Sequence, residues 1–198
     1  MKTLLVLAHP LPDSLNATLA EAAEQELRAQ GHDVRRCDLN QQAFAPALTA
    51  RERQAYYAAF DAAGVAKEVA DLQWAEAVVL VFPTWWFGLP AILKGWIDRV
   101  WAPGVAYDHA PDQGPLRPRL HGLKHMLVIT TLGSPWWIDW LILHRPVARV
   151  LKRGVLGVCA PKAGFSALSF YNCEKLSPAQ VEKMKARVRA RVRALPGT

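Results

Sequence analysis

Short apolar runs alternate with helical patterns along this chain, and the alternation is the strongest constraint on its fold. The runs "KTLLVLA" (2–8) and "AVVLVFP" (77–83) are almost wholly apolar, which is typical of strands buried on both faces. Further strands are predicted at 33–39, 124–132 and 164–171. Strands separated by helices pair in parallel through right-handed crossovers. The chain is therefore predicted to form an α/β three-layer sandwich with a five-stranded parallel sheet.

Helical spacing of apolar residues predicts the connecting elements. Ser14 and Ser177 are typical N-caps, and Gly31 is a typical helix end. The region 103–122, rich in Pro and Gly, is predicted to be a long loop. The predicted helices cover 14–31, 49–63, 65–75, 90–101, 135–159 (one or two helices, broken near Pro146) and 177–195.

Length and composition favour one globular domain over 1–198. The three Cys residues form no CxxC pair, so we expect free thiols in a reducing compartment and no metal site. The five apolar residues that precede His9 are too few for a signal peptide, and no run is long enough to span a membrane. We expect a cytoplasmic protein without membrane insertion.

The formal net charge of +7 is concentrated near the C-terminus, in "EKMKARVRARVRAL". Such a cluster can bind nucleic acid or a membrane surface. It can also be the solvated face of a helix, because apolar residues recur there at helical spacing (Val181, Met184, Val188, Val192 and Leu195). The absence of interleaved aromatic residues favours the solvated face, and we expect no nucleic-acid partner.

Three loops hold most of the polar and aromatic residues with chemical potential. In the flavodoxin-like strand order, a ligand binds at the carboxyl ends of the first, third and fourth strands. The loops at those ends read "HPLPDSLN", "PTWWFGLP" and "TTLGSPWW". We call them the first, second and third loops, and we expect them to form one site.

The first loop leads into a helix and carries His9, Ser14, Asn16 and Thr18. A helix N-terminus offers free N–H groups and a positive dipole end, so this loop can bind a phosphate. It contains neither GxGxxG nor a P-loop. The alternative is a simple N-cap at Ser14.

The second loop places Trp85, Trp86 and Phe87 next to each other, an arrangement suited to a flat conjugated ring. The alternative is core packing, and we expect one or two of these rings to point inward. The third loop offers backbone N–H groups, which would stabilise a ring that becomes anionic on reduction. Together the three loops predict a flavin site.

These segments also resemble a known family. The stretch "FPTWWFGLPAILKGWIDRV" resembles the signature of the NAD(P)H:quinone oxidoreductases, "HP…DSLN…L" resembles their phosphate loop, and "TTLG" their Thr-Thr-Gly-Gly loop. The resemblance implies a flavodoxin-like fold, bound FAD or FMN, and homodimers with the site at the subunit interface. It further implies a ping-pong reduction of quinones by NADH or NADPH.

Site residues follow from the same resemblance. Phosphate contacts are implied for His9, Ser14, Leu15, Asn16 and Thr18, ring contacts for Pro83, Thr84, Trp85, Trp86 and Phe87, and contacts with the polar ring edge for Thr130, Thr131 and Gly133. Ungapped counting places His144 at the family's catalytic His, but Ile138 at its Tyr and Leu132 at the first Gly of its pair. The helix residues Lys94, Trp96, Asp98 and Arg99 are interpreted as structural.

Other readings fit parts of the sequence. The chain could be a flavin-binding regulatory subunit of a membrane transport system, peripherally associated with a membrane partner. It could reduce nitro- or azo-aromatic compounds at the same site. A flavodoxin-type electron carrier is disfavoured because such carriers are usually acidic. The cluster Trp136, Trp137 and Trp140 could cover the slot or form a dimer seam.

Overall fold

A computed structural model describes residues 1–57, 60–110 and 114–196. Its main sheet contains five parallel strands, confirming the predicted α/β class. They are β1 (Lys2–Leu7), β2 (Asp33–Asp38), β3 (Ala77–Pro83), β6 (His125–Thr131) and β7 (Gly164–Phe170). The spatial order is β2-β1-β3-β6-β7, which is the predicted flavodoxin-like order.

Helices cover both faces of this sheet. They are α1 (Leu15–Ala29), α2 (Ala50–Gln54), α3 (Ala66–Trp74), α4 (Ala91–Val100), α5 (Pro146–Arg149), α6 (Gly157–Cys159) and α7 (Pro178–Arg193). Two strands of two residues each, β4 (Tyr107–Asp108) and β5 (Arg117–Pro118), form an antiparallel pair inside the predicted long loop. Residues 111–113 of that loop lie outside the described residues.

Alternation along the buried strands divides the core into two clusters. In β1, Leu4 and Val6 belong to the cluster that includes Trp96 of α4, whereas Leu5 and Leu7 belong to the cluster under α1 and α7. Successive side chains of a strand point to opposite faces, so an unbroken apolar run supplies both cores. Trp96 is therefore a core residue, in agreement with its interpretation as structural.

Local cap chemistry behaves as predicted. Ser14 Oγ accepts a hydrogen bond from the Ala17 amide at 3.2 Å, and Gly31 ends the first helical segment with φ +76°. Ser177 and Gln180 form a capping box at the start of α7. The apolar stripe of α7 is buried, so its Lys and Arg residues form a solvated face as expected.

Two predicted helices differ from the structure. The segment predicted at 49–63 contains only α2 and the 3-10 turn Ala55–Tyr57 among the described residues, and 58–59 lie outside them. No residue of α2 or of this turn is buried, so packing does not extend the helix. The segment predicted at 135–159 is interrupted by π-helical stretches at Ile138–Ile142 and Val150–Leu156, where wider turns replace the α geometry.

The three cysteines are free thiols, and two of them are buried. Cys37, Cys159 and Cys173 are free, as predicted. Burial raises the pKa of the Cys37 and Cys159 thiols to about 12, so both stay protonated at neutral pH.

Across the described ranges, no helix combines the length and the apolar character that crossing a membrane requires.

Candidate functional site

The three loops meet at the carboxyl edge of the sheet because β1, β3 and β6 are adjacent and parallel. Each pair of loops is joined by a direct contact. The ring centroids of His9 and Trp85 lie 6.3 Å apart, and this tilted ring contact links the first loop to the second. Asn16 Nδ2 donates to Thr131 Oγ1 at 3.0 Å and links the first loop to the third. The second and third loops are joined by Thr84, whose Oγ1 lies 2.7 Å from Thr130 Oγ1.

The first loop is organised around the start of α1. His9 Nδ1 accepts a hydrogen bond from the Leu11 amide at 3.1 Å, which folds the loop back on itself. Thr18 Oγ1 donates to the Ser14 carbonyl at 3.2 Å. The amides of Leu15 and Asn16 begin the helix, where N–H groups have no intrahelical acceptor. The loop therefore has the features of an anion site, while the Leu15 side chain packs against the core.

The second loop is a tight turn that holds one ring entirely in solvent. Trp86 and Phe87 have φ values of +50° and +54°, and the Gly88 amide donates to the Trp85 carbonyl at 2.9 Å. Two consecutive positive φ angles are typical of a type I′ turn, and they cost conformational energy in side chains of this size. Trp86 is 100% exposed.

Neither tryptophan of the second loop points inward, so only Phe87 can meet the expectation that one or two of these rings do. Trp85 is exposed, Phe87 is half-buried, and neither belongs to the core clusters. The turn geometry explains this outcome, because it projects residues 85–87 beyond the end of β3. Pro83, the last residue of that strand, is the buried one.

Hydrogen bonds from its buried threonines to the other two loops hold the third loop in place. Thr130 and Thr131 are buried, and both hydroxyls are used in contacts with the other two loops. The Thr84 amide also donates to the Thr131 carbonyl at 2.8 Å. Gly133 is exposed, and a Cβ there would lie 2.8 Å from a carboxylate oxygen of Glu174. The Ser134 hydroxyl is buried and has no hydrogen-bond partner in the described structure.

Sequence reasoning missed a polar network beside the third loop. The Tyr171 hydroxyl donates to Asp139 Oδ2 at 2.8 Å and accepts from Trp140 Nε1 at 2.9 Å. Burial raises the pKa of Tyr171, and the hydrogen bond to Asp139 adds to this effect. The tyrosine therefore stays protonated as a donor. The acidic Asp139 in the apolar stretch "WWIDWLIL" is the sequence feature that could have indicated this network. Its partner, Tyr171, is 32 positions away in the sequence.

His144 lies at the junction between the π-helical stretch Ile138–Ile142 and α5, and it is exposed. His144 and Arg145 have φ values of +54° and +53°, so the chain reverses sharply there. Among the described residues, His144 makes no hydrogen bond or ring contact with the three loops. It is Arg145 that lines a small cavity together with Thr84, Thr130 and Asp139. The catalytic role of His144 stays a prediction.

A polar cleft of about 420 Å³ adjoins the first loop at the carboxyl ends of β1 and β2. Its walls combine the first loop with the segment after β2, and Asn40 Nδ2 nearby is buried without a hydrogen-bond partner in the described structure. The lining residues are His9, Pro10, Pro12, Glu21, Arg36, Asp38, Asn40 and Gln41. The cleft places hydrogen-bond donors and acceptors beside the first loop.

The Asn16–Thr131 bond gives a testable measure of how the loops are held together. Asn16→Ala is expected to lower the free energy of unfolding by about 1–2 kcal/mol, because it leaves the buried Thr131 hydroxyl unpaired. In a double-mutant cycle with Thr131→Val, urea unfolding should give a coupling of about 0.5–1.5 kcal/mol. The control is Gln25→Ala on the exposed side of α1, expected within about 0.5 kcal/mol of wild type. Additive effects of the two substitutions would contradict the contact.

Comparison with known proteins places this architecture in a family. A family model described as having a flavodoxin-like fold matches residues 1–195. The ribosyldihydronicotinamide dehydrogenase-like protein traD of Penicillium crustosum is 30% identical, over 100% of this chain and 82% of the relative. NAD(P)H dehydrogenase (quinone) 1 of Rattus norvegicus is 34% identical over 84% of this chain, which spans 66% of that relative's length.

A solved structure agrees with these matches. Smu.1420 from Streptococcus mutans UA159 superposes with a TM-score of 0.86 at 30% identity, covering 98% of this chain and 100% of the other. The agreement extends over the whole sheet and its helices rather than one motif. The chain belongs to the NAD(P)H:quinone oxidoreductase family of flavodoxin-like proteins.

Proposed function

We propose that this protein, as one flavodoxin-like domain over 1–198, is a flavin-dependent NAD(P)H oxidoreductase that delivers two electrons to quinones. The observation that carries the proposal is the placement of Trp86. A strained turn holds this ring fully exposed, and the adjacent Trp85 lies against His9 of the loop that leads into α1. An exposed ring held in this way is suited to stacking on a flat cofactor or substrate.

The phosphate end of the cofactor would lie on the first loop. The Leu15 and Asn16 amides and the Ser14 and Thr18 hydroxyls surround the start of α1, and His9 lies at the side facing Trp85. The dipole of a 15-residue helix adds to the attraction for an anion. Asn16 supports this end mainly as a brace, because its amide group is committed to Thr131.

The ring end would lie between the second and third loops. Trp85, Trp86 and Phe87 would pack on its faces, with Pro83 and Thr84 beneath them. Backbone groups of residues 130–133 would meet its polar edge, where the buried and unpartnered Ser134 hydroxyl is a further donor. The residues present therefore fit a flavin.

The bound flavin would supply the hydride chemistry, accepting electrons from NAD(P)H and passing them to a quinone that takes the nicotinamide's place. The protein's own contribution is to bind and orient. Trp86 provides the stacking surface, and backbone N–H groups stabilise negative charge at the ring edge. His144 is proposed to act as a proton donor or charge-balancing group, with the protonated Tyr171 fixing the segment from which it extends.

Two finer points follow from neighbouring features. The cleft beside the first loop would hold the adenosine part of FAD, which FMN lacks, and its presence therefore supports FAD over FMN. The Asp38 carboxylate in this cleft is suited to accept hydrogen bonds from ribose hydroxyls.

We further propose a homodimer whose second subunit covers the exposed Trp86. Light scattering on the purified protein tests the dimer independently of the cofactor.

Trp86 substitutions test the proposed stacking. Trp86→Gly is expected to lower kcat/KM for a water-soluble naphthoquinone about tenfold, because the stacking ring is lost. The same change should leave the free energy of unfolding unchanged or raise it by up to about 1 kcal/mol, since Gly favours the left-handed backbone at this position.

Trp86→Phe is the matched control, because it keeps an aromatic ring at the same place. It is expected to retain kcat/KM within about threefold of wild type, whereas Gly does not. If both variants turned over the quinone at the wild-type rate, stacking on Trp86 would have no part in the reaction.

A further inference from the structure

The segment that follows β7, residues 171–174, is held against the third loop by backbone hydrogen bonds. The Leu132 amide donates to the Phe170 carbonyl at 2.8 Å, and the Cys173 amide donates back to the Leu132 carbonyl at 3.0 Å. Because β7 is the neighbour of β6 in the sheet, this segment lies at the same carboxyl edge as the proposed flavin site. We call it the fourth loop.

The turn of the fourth loop is set by Asn172, which has φ +55°. Asn tolerates this left-handed conformation better than most residues, and the Asn172 amide donates to the Ser134 carbonyl at 3.3 Å. Glu174 then lies over Gly133, where an added Cβ would be 2.8 Å from Glu174 Oε1 and 3.4 Å from its Cδ. The Glu174 carboxylate is therefore packed against the bare backbone of the third loop.

The Glu174 carboxylate has no counter-charge at this place. In the part of the chain that the structure describes, it forms no ion pair and no hydrogen bond, and the adjacent Lys175 is exposed and does not pair with it. Asp139 and Arg145 line one cavity together with Leu132, so their opposite charges offset each other. Glu174 thus places an uncompensated negative charge against the third loop.

We propose that Glu174 lowers the reduction potential of the flavin bound at this loop, an inference that rests on the proposed function. Uptake of two electrons and one proton converts the neutral flavin ring into an anion, and the polar edge of the ring would lie at the third loop. A carboxylate beside that edge disfavours the anion and leaves the neutral oxidised ring almost unaffected. Glu174 therefore opposes the backbone N–H groups of the loop, and the reduced flavin passes its electrons on more readily.

The midpoint potential of the FAD-loaded protein tests the proposal. Glu174→Gln should bind reduced FAD about fivefold more tightly than wild type, while its affinity for oxidised FAD stays within about twofold. For a two-electron couple, a fivefold difference raises the midpoint potential by about 20 mV. Glu174→Asp keeps the charge and should stay close to wild type in both measurements. The shift caused by Gln should shrink as salt is added, because the carboxylate is exposed.

Asp33→Asn is the matched control, because it removes one exposed negative charge at the opposite edge of the sheet. Asp33 begins β2, whereas the loops of the proposed site follow the carboxyl ends of the strands. This variant should keep the ratio of the two FAD affinities within about 1.5-fold of wild type, because added salt screens a charge at that distance. An equal shift in Asp33→Asn and Glu174→Gln would assign the effect to net charge, and the proposal would be wrong.

Two further results in Glu174→Gln would overturn the proposal. Equal weakening of oxidised and reduced FAD binding would mean that the side chain only holds the loop in shape. An unchanged midpoint potential would mean that the carboxylate does not act on the ring, although FAD binding and reduction by the wild type would still support the proposed function. A wild type that retains no flavin would instead contradict the proposed function, and this inference with it.

Discussion

Replacing Arg99 by Met is expected to lower the free energy of unfolding by about 3–5 kcal/mol at neutral pH. The Arg99 guanidinium is buried and donates from Nε and Nη2 to Glu52 Oε1, at 2.9 and 2.7 Å. It also donates to the Ala45 carbonyl. Without Arg99, the Glu52 carboxylate, whose side chain is 9% exposed, would be left with the hydrogen bonds of Thr49.

The size of this loss should depend on pH. Burial raises the pKa of Glu52, but hydrogen bonds from Arg99 and Thr49 outweigh it and hold that pKa below its ordinary value of 4.5. A carboxylate with a lowered folded-state pKa contributes stability above its unfolded pKa, and the contribution is lost as the pH falls through the folded pKa. The difference in the free energy of unfolding between wild type and Arg99→Met should therefore have its full value at pH 7 and become smaller below about pH 4.

Urea unfolding at pH 7 and near pH 3.5 measures both effects. The control is Arg119→Met, which breaks an exposed ion pair with Asp108 at 2.8 Å and should cost less than about 1 kcal/mol. A loss from Arg99→Met that did not change with pH would mean that the guanidinium acts by packing alone.

Gly95→Ala is expected to destabilise the protein by about 2–3 kcal/mol, although Ala is the better helix former. Gly95 lies inside α4, where the segment after β2 crosses the helix. A Cβ at this position would lie 2.5 Å from the Cα of Pro46 and closer still to its carbonyl oxygen. Either the helix or the crossing segment must move, and both are held by Arg99 and the buried Phe44.

Gly154→Ala provides the matched comparison. Gly154 is also helical, but an added Cβ would meet nothing within 4 Å. This substitution should leave the stability unchanged or raise it by about 0.5–1 kcal/mol. Equal effects of the two substitutions in urea unfolding would show that the Pro46 backbone does not lie against α4.

The fold could be predicted from sequence because its signals are local. Continuous apolar runs indicate buried strands, and caps such as Ser14 and Ser177 mark helix starts within a few residues. The sheet order then places three loops at one edge, and the structure joins them there through His9, Asn16 and Thr84. The roles of the individual site residues remain proposals.

The features that could not be predicted depend on contacts between distant residues. Arg99 and Glu52 are 47 positions apart, and nothing near Arg99 in the sequence identifies its partner. Asp139 likewise accepts its hydrogen bond from Tyr171, which follows β7 and is 32 positions away in the sequence. The left-handed turn at Trp86 and Phe87 contains no Gly at either strained position, so local sequence rules do not identify it.

The most direct test of the proposed function is the visible absorption spectrum of the purified protein after FAD or FMN is added, followed by NADPH without oxygen. We expect a protein-bound flavin whose visible band bleaches with NADPH and returns when a quinone is added. A protein that retains no flavin after gel filtration, or one whose bound flavin is not bleached by NADPH or NADH, would contradict this expectation.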